Sequence, residues 1–131
     1  MLLTKECDYG LRIIRTLADN KKKTVEQICE TELIPGQYAY KILKKLEKAG
    51  FLQSIRGRNG GYFLAKSLNE FTIYDVITAV DENLFILECL REGTMCRRNT
   101  EEAPCAVHRE FARIQNMLKD ALSAKTMQEL L

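Results

Sequence analysis

The sequence predicts a mostly α-helical protein with a small β-hairpin wing, namely a winged helix-turn-helix followed by a long C-terminal dimerisation helix. Two observations predict this class. Apolar residues in the first half recur at spacings of three and four, which is typical of amphipathic helices, and Pro35 and Gly36 interrupt them. Two short apolar runs then flank a glycine-rich turn at residues 56–61, which is typical of a hairpin. Two helices joined by a tight turn and followed by a hairpin give the order of a winged helix-turn-helix.

Three helices are expected before the hairpin. The first follows the apolar spacing between Tyr9 and Ala18. The second begins at Thr24, where Thr-Val-Glu-Gln has the pattern of a capping box. The third begins near Pro35, which suits the first turn of a helix, and ends before Gly50. Its buried stripe is expected to consist of Ala39, Ile42, Leu43, Leu46 and Ala49.

The hairpin and the second half complete the order of elements. Strands are expected at residues 51–55 and 62–64. A helix should begin at Thr72 and run to Val80, and the apolar residues 84–90 suggest another. Residues 91–104 have no amphipathic pattern and are expected to form a loop, after which Pro104 opens a long helix.

The length and composition restrict the class of protein. The chain has 131 residues, of which 46% are hydrophobic and 29% are charged, and this suits one globular domain or a small domain with an arm. No apolar run reaches the roughly 18 to 20 residues that a membrane-spanning helix needs. Glu6 and Asp8 lie where a secretory signal would be apolar. We therefore expect a soluble, cytoplasmic protein with no membrane partner.

Charge is distributed unevenly along the chain. Residues 1–66 hold 13 lysines and arginines against 7 acidic residues, whereas residues 67–131 hold 7 against 11. A basic half favours a polyanionic partner such as nucleic acid, although many basic helices are merely solvated. We therefore expect a DNA-binding winged helix-turn-helix at 1–66 and a helical segment at 67–131 that carries a cysteine-containing loop (89–105) and a dimerisation helix (about 104–122).

The third helix carries residue types that read DNA. Gln37 can pair with adenine, and Lys41 can reach guanine or phosphate. The hydroxyl groups of Tyr38 and Tyr40 can reach phosphates, and Lys44 lies farther along, off the apolar stripe. The alternative is a solvated basic helix with two chance tyrosines. The order of elements favours a recognition helix in the major groove.

The tip of the hairpin is basic and rich in glycine. Arg56 and Arg58 lie among glycines that allow close approach to a duplex. An arginine in a narrow minor groove reads the shape of DNA. The alternative is an ordinary hairpin whose arginines only aid solubility. Because the helix and the hairpin support each other, we favour a DNA-contacting wing.

The last helix has a seam suited to pairing with another helix. Its apolar residues step by four and three, as in a heptad. The alternative is that this face packs back on its own domain. Because the helix is long and follows most of the domain, we favour a homodimer. The predicted interface residues are Val107, Phe111, Ile114 and Leu118.

Five cysteines without a secretory signal argue against a disulfide framework. Cys7 and Cys29 fall inside helical patterns and are expected to be buried. The remaining cysteines and the only histidine have the spacing C-x6-C-x8-C-x2-H, which suits an iron–sulfur cluster or a tetrahedral zinc ion. Reduced, unligated thiols remain the alternative from spacing alone. These candidate metal ligands are Cys89, Cys96, Cys105 and His108.

Four stretches of the chain resemble one family. They are residues 8–12, 34–52, 56–65 and 72–82, of which the wing with its double glycine and Tyr62 is the most specific. The chain is similar, nearly end to end, to the bacterial Rrf-type winged-helix transcriptional regulators, the family of IscR, NsrR and CymR. The resemblance implies a homodimeric transcription factor that binds double-stranded DNA at an inverted-repeat operator. It also agrees with the lack of a nucleophile elbow or phosphate loop, so we expect no enzyme.

The resemblance bears on the cysteines as well. The IscR-like branch holds an iron–sulfur cluster through three cysteines and a histidine, and the order of the four candidate ligands matches it. It implies operator binding controlled by a cluster that senses iron–sulfur, redox or nitric oxide status, with 2Fe–2S favoured over 4Fe–4S. In the NsrR-like branch an acidic residue of the partner subunit can be a ligand, and Asp8 matches that position. The alternative is a DNA-binding regulator with structural zinc or a cysteine thiol switch.

Overall fold

Helices and one antiparallel hairpin make up the chain in the computed structural model, which describes residues 3–131. The predicted class is confirmed, because the hairpin follows three helices and a long helix lies near the C-terminus. The elements are α1 (Lys5–Thr16), α2 (Val25–Glu32), α3 (Gly36–Lys48), β1 (Leu52–Ile55), β2 (Gly61–Leu64), α4 (Ile73–Val80), a 3₁₀ turn (Glu88–Leu90), α5 (Ala106–Ser123) and α6 (Met127–Leu130).

The helix starts follow local capping chemistry. The predicted box at Thr24 is formed in both directions with Gln27, and Thr72 forms another at the start of α4. The first helix begins four residues earlier than predicted, because the Thr4 hydroxyl accepts a hydrogen bond from the Cys7 amide and caps it. Leu33 ends α2 in the left-handed region, with φ at 54°.

One apolar core joins α1, α2 and α3 and extends to α4 and α6. Four of the five predicted α3 residues are fully buried, whereas Ala49 is exposed because it caps the end of α3. Cys7 is buried as predicted, and Cys29 is half-buried. The helices α1 and α4 touch at Gly10, where a Cβ atom would lie 2.8 Å from Val80 Cγ2. The core side chains include Ile13, Ile14, Leu17, Ile28, Ile42, Leu43, Leu46, Val76, Val80 and Met127.

The expected helix at 84–90 is wrong, since only Glu88–Leu90 forms a 3₁₀ turn. The reason is a side chain that the local pattern does not reveal. The amide of Gln115 on α5 donates to the Leu84 carbonyl and accepts from the Ile86 amide, both at 2.9 Å. Because Gln115 satisfies these two backbone groups, they are not available for the hydrogen bonds of a helix. The loop expected at 91–104 is confirmed.

The C-terminus is tied back to the first half by an element that the sequence did not predict. The Met127 amide donates to the Phe71 carbonyl at 2.9 Å, and Thr126 forms a β-bridge with Thr72. The Met127 side chain enters the core. The helix α5 is therefore anchored to the chain at its middle through Gln115 and at its C-terminal end through α6. None of the helices within residues 3–131 has the length and apolar character that crossing a bilayer requires.

A buried carboxylate fastens α1 to α2. Glu32 is the one buried charged residue of the described chain, and it pairs with Arg15 through both carboxylate oxygens and accepts from the Thr16 hydroxyl at 2.5 Å. Burial alone would raise the pKa of Glu32. The hydrogen bonds from Arg15 and Thr16 and the charges of Arg15 and Arg12 outweigh burial and hold that pKa below its usual value.

Glu32→Gln should destabilise the fold by about 1–2 kcal/mol at pH 7, because the hydrogen bonds to a charged group are weakened. Because the folded-state pKa of Glu32 lies below the unfolded value of about 4.3, the ionised carboxylate stabilises the fold above that pH. This stabilisation is lost as the pH falls through the folded-state pKa. The difference between wild type and variant should therefore shrink between pH 5 and 3. Urea unfolding at several pH values measures it, with the exposed Glu30→Gln as the control. A difference that stays constant with pH would contradict the assignment.

Candidate nucleic-acid interface and cysteine segment

The exposed face of α3 carries most of the predicted DNA-reading residues. Gln37, Tyr40, Lys41 and Lys44 are exposed, because the apolar residues of α3 at spacings of three and four face the core. Tyr38 is less free, since its ring packs against Tyr9 of α1 with 5.8 Å between centroids. The helix therefore presents an amide, a phenol and two ammonium groups on one side.

Two lysines of α3 share one carboxylate of α1. Lys41 Nζ lies 2.5 Å from Glu6 Oε1, and Lys45 Nζ lies 2.9 Å from Glu6 Oε2. Lys44 makes no ion pair with any residue of 3–131. No local pattern indicates the Glu6 contact, because the partners are 35 and 39 residues apart in the sequence.

Nearby backbone carbonyl groups require the double glycine of the wing. Lys23 and Tyr62 exchange backbone hydrogen bonds of 2.9 and 2.8 Å, so the linker before α2 pairs with β2. A Cβ atom on Gly61 would lie 2.7 Å from the Lys23 carbonyl oxygen. One on Gly60 would lie 2.5 Å from the Ile55 carbonyl oxygen. Only glycine fits at both positions, and the pairing fixes the wing to the helical body.

The wing and α3 border a common groove. It has a volume of about 350 Å³, and α2, α3 and both strands contribute to its wall. Arg56 and Arg58 are exposed and form no ion pair within the described chain. Burial, together with the nearby Glu47, raises the pKa of Tyr62, so its hydroxyl stays protonated and able to donate. The groove is lined by residues that include Thr24, Lys44, Glu47, Arg56, Arg58 and Tyr62.

The predicted metal ligands lie in one segment but are not assembled. Cys89 is in the 3₁₀ turn, Cys96 is in the loop, and Cys105 caps the start of α5. All three are half-buried free thiols. Within residues 3–131, no group of three or more histidine, cysteine, aspartate or glutamate side chains has an arrangement that could hold a metal ion. The structure brings together Cys105 and His108, whose amide donates to the Cys105 sulfur at 3.5 Å.

The chemistry of these residues nevertheless fits a soft metal group. Nδ1 of His108 is buried and has no hydrogen-bond partner among the described residues. An unsatisfied buried polar atom costs about 1–3 kcal/mol unless something binds it. Thiolates and imidazole are the donors that iron–sulfur clusters and zinc accept. Asp8, the other candidate ligand, forms an ion pair of 2.9 Å with Arg12 of its own helix.

The helix α5 has two edges with different surroundings. One edge packs on its own chain through Gln115 and through Lys119, whose ammonium lies 5.6 Å from the centre of the Tyr74 ring. The other edge is open, with Val107 60%, Ile114 37% and Met117 56% exposed. The predicted interface residues Phe111 and Leu118 lie between the edges and are half-buried. Met117 was not predicted, because it lies outside the heptad steps. No residue of α5 is buried.

A recognition helix beside a basic hairpin, both carried by a three-helix body, defines a winged helix-turn-helix DNA-binding protein. The family model described as "Rrf2: Iron-dependent Transcriptional regulator" matches residues 3–131. The chain belongs to this Rrf2 family. Since the family and its named relatives are transcriptional regulators, the chain is a regulator of transcription and not an enzyme.

Individual relatives agree with the family. The HTH-type transcriptional regulator NsrR of Shouchella clausii is 33% identical over 128 residues, which cover 95% of this chain and 79% of that protein. A putative rrf2-like HTH-type regulator of Rhodobacter capsulatus is 28% identical over 138 residues, or 99% of this chain and 92% of that protein. The similarity therefore includes the cysteine segment and α5 as well as the wing.

Solved structures share the fold. CymR (YrzC), the global cysteine regulator of B. subtilis, superposes with a TM-score of 0.76 at 24% identity, covering 98% of this chain and 94% of that one. IscR of T. potens superposes with a TM-score of 0.75 at 18% identity, covering 98% and 84%. At these identities the likeness concerns the arrangement of helices and wing.

Proposed function

We propose that the chain acts in the cytoplasm as a homodimeric regulator that binds an inverted-repeat operator under the control of an iron–sulfur cluster. The observation that carries the proposal is the exposed basic surface shared by α3 and the wing, on a chain of the Rrf2 family. In this proposal residues 1–66 bind DNA, and residues 67–131 carry the cysteine segment and the dimer helix.

The DNA contacts follow from the shape of this surface. A helix fits the major groove, so the exposed Gln37, Tyr40 and Lys44 would face base edges and phosphates. Tyr38, whose ring lies on α1, would contribute its hydroxyl to a phosphate. Lys41 lies on the same face but is held by Glu6. The wing would place Arg56 and Arg58 against the adjacent minor groove.

The cysteine segment would hold the cluster. Cys89, Cys96, Cys105 and His108 supply three soft donors and one imidazole, and the orphaned Nδ1 of His108 supports a ligand there. Such a cluster, with 2Fe–2S favoured, supplies reactivity towards oxidants and nitric oxide when bound. The half-buried Cys89 and Cys96 would move towards Cys105, and segment 89–105 would thereby be ordered against the first turn of α5. Asp8 of a partner subunit is the second candidate for the fourth position.

The dimer would use the open edge of α5. Exposed Val107, Ile114 and Met117 form an apolar stripe along a helix with no buried residue, which is the pattern of a helix that pairs. Two α5 helices set the distance between two recognition helices. Because α5 is anchored through Gln115 and α6, a shift of α5 would be passed to the DNA-binding body.

A second candidate is a regulator with structural zinc or a thiol switch in place of a cluster. The observation that favours it is that the three half-buried thiols of residues 89–105 are free and, among the described residues, form no assembled metal group. The two candidates share every DNA-binding residue. They differ in iron content and in colour, because zinc has no visible absorption.

Arg56→Ala and Arg58→Ala should each weaken operator binding by about 1–3 kcal/mol. An operator is first selected from a random duplex library with the wild-type protein, and binding is then followed by fluorescence anisotropy at several salt concentrations. Wild-type affinity should fall steeply with salt, because phosphate contacts release counterions. Lys125→Ala removes an exposed positive charge outside helix and wing and is the control. Wild-type affinity in both wing variants would contradict the wing assignment.

A further inference from the structure

Glu6 is the acidic residue that faces the recognition helix. It lies in the first turn of α1, and its side chain is only 22% exposed, whereas Lys41 is 56% exposed. Hydrogen bonds from Lys41 and Lys45 lower the pKa of Glu6, and the Glu6 carboxylate raises the pKa of Lys41. Both groups are therefore charged at neutral pH, and their contact is an ion pair.

The two lysines at Glu6 have different surroundings. Lys45 is 35% exposed, and its ammonium also donates to the Val80 carbonyl at 2.6 Å. Lys45 is therefore part of the junction between α3 and α4. Lys41 has Glu6 as its one ion-pair partner among the described residues, and it lies between Tyr40 and Lys44 on the exposed face of α3. Lys41 is the lysine that DNA could compete for.

We propose that Glu6 takes the place of a DNA phosphate at Lys41, withholds this lysine from the duplex and so limits sequence-independent affinity. The inference rests on the proposed DNA-binding function and adds to it. A carboxylate oxygen and a phosphate oxygen offer an ammonium group the same chemistry, a charged hydrogen-bond acceptor. The carboxylate is already present at 2.5 Å and carries no cost of association.

The consequence concerns sequence-independent affinity. A phosphate contact positions a protein on DNA but carries no sequence information. Each lysine withheld from phosphate lowers binding to any duplex, while readout by Gln37, Tyr40 and the wing is unchanged. Glu6 therefore lowers the sequence-independent part of the affinity for operator and unrelated duplex alike. It also reduces the number of counterions that binding releases.

The test compares wild type, Glu6→Gln, Lys41→Gln and the double variant on a duplex of unrelated sequence. Glu6→Gln should steepen the slope of log affinity against log salt concentration by about 0.9 for each added phosphate contact. Its affinity at low salt should rise roughly two- to fivefold, the range of an exposed ion pair. Lys41→Gln should reduce the slope and the affinity far less in the wild-type background than in the Glu6→Gln background, where it should remove the whole gain.

Glu30→Gln is the matched control, because it removes an exposed acidic charge from α2 that has no ion pair within residues 3–131. Equal slopes for Glu6→Gln and Glu30→Gln would overturn the inference, as would a slope reduced by one contact in Lys41→Gln alone. If Glu6→Gln lowers the melting temperature, the comparison of Lys41→Gln with wild type decides the test. Failure of the proposed DNA-binding function would be seen in a different measurement, because neither Arg56→Ala nor Arg58→Ala would then weaken DNA binding.

Discussion

In the proposed homodimer, Ile114→Asp should separate the two subunits into monomers. Ile114 lies in the middle of the open edge of α5, between Val107 and the C-terminal end of the helix. A carboxylate there would be buried without a partner when two helices pair, which costs about 3–5 kcal/mol in each such position. Sedimentation equilibrium over a range of protein concentrations measures the change.

The control for this prediction is Asn116→Asp. Asn116 is exposed, and it lies about 160° around the helix from Ile114 by helical geometry, so it adds the same charge away from the open edge. Circular dichroism should show intact helices in both variants, because Ile114 contributes little to the core of its own chain. If the two variants form dimers of equal stability, the dimer interface does not include this edge of α5.

Loss of the dimer should also weaken DNA binding. Two recognition helices on one inverted repeat bind with the advantage of a high effective concentration, whereas a monomer has one half-site. The Ile114→Asp monomer should therefore lose operator affinity far more than it loses affinity for a single half-site.

Local signals in the sequence were enough for the elements that carry the DNA-binding surface. The capping box at Thr24 and the buried stripe of α3 depend on residues three or four apart, so they can be found without knowing the fold. The glycine-rich turn of the wing was predicted at the right place, but the reason that glycine is needed there was not predicted. It is the Lys23 backbone beside Gly61, and that contact joins segments far apart in the chain.

The predictions that failed or were missed share one physical cause, which is contact between segments that are far apart in the sequence. Residues 84–90 look helical, but Gln115 supplies hydrogen bonds from another helix. The heptad steps of α5 could not separate the edge that packs on its own chain from the open edge at Met117. In the sequence, Glu6 mattered only for excluding a secretory signal, and its contact with Lys41 appears only once α1 lies against α3. The roles of the individual DNA-binding, metal and interface residues stay predictions.

In the proposed cluster-binding regulator, replacing Cys89, Cys96 or Cys105 by alanine should abolish iron binding. Each thiolate is a strong ligand, and an iron that loses one is left with water or a weak donor. Cys89→Ala, Cys96→Ala and Cys105→Ala should all lose the visible absorption and the stoichiometric iron and sulfide of anaerobically purified wild type. His108→Ala should weaken the cluster without removing it, because water or Asp8 of a partner subunit can take its place. His108→Cys should keep a cluster of lower reduction potential, since thiolate donates more charge than imidazole.

The control cysteines make this prediction decisive. Cys7 is buried in the core, and burial raises the pKa of Cys29, which disfavours the thiolate form of Cys29. Cys7→Ala and Cys29→Ala should keep full iron content. Iron loss in Cys29→Ala, or full iron in Cys96→Ala, would contradict the ligand set. Colourless wild-type protein with stoichiometric zinc would select the zinc regulator, and metal-free protein with intact DNA binding would select the thiol switch. In both cases the surface of α3 and the wing would keep its assigned role.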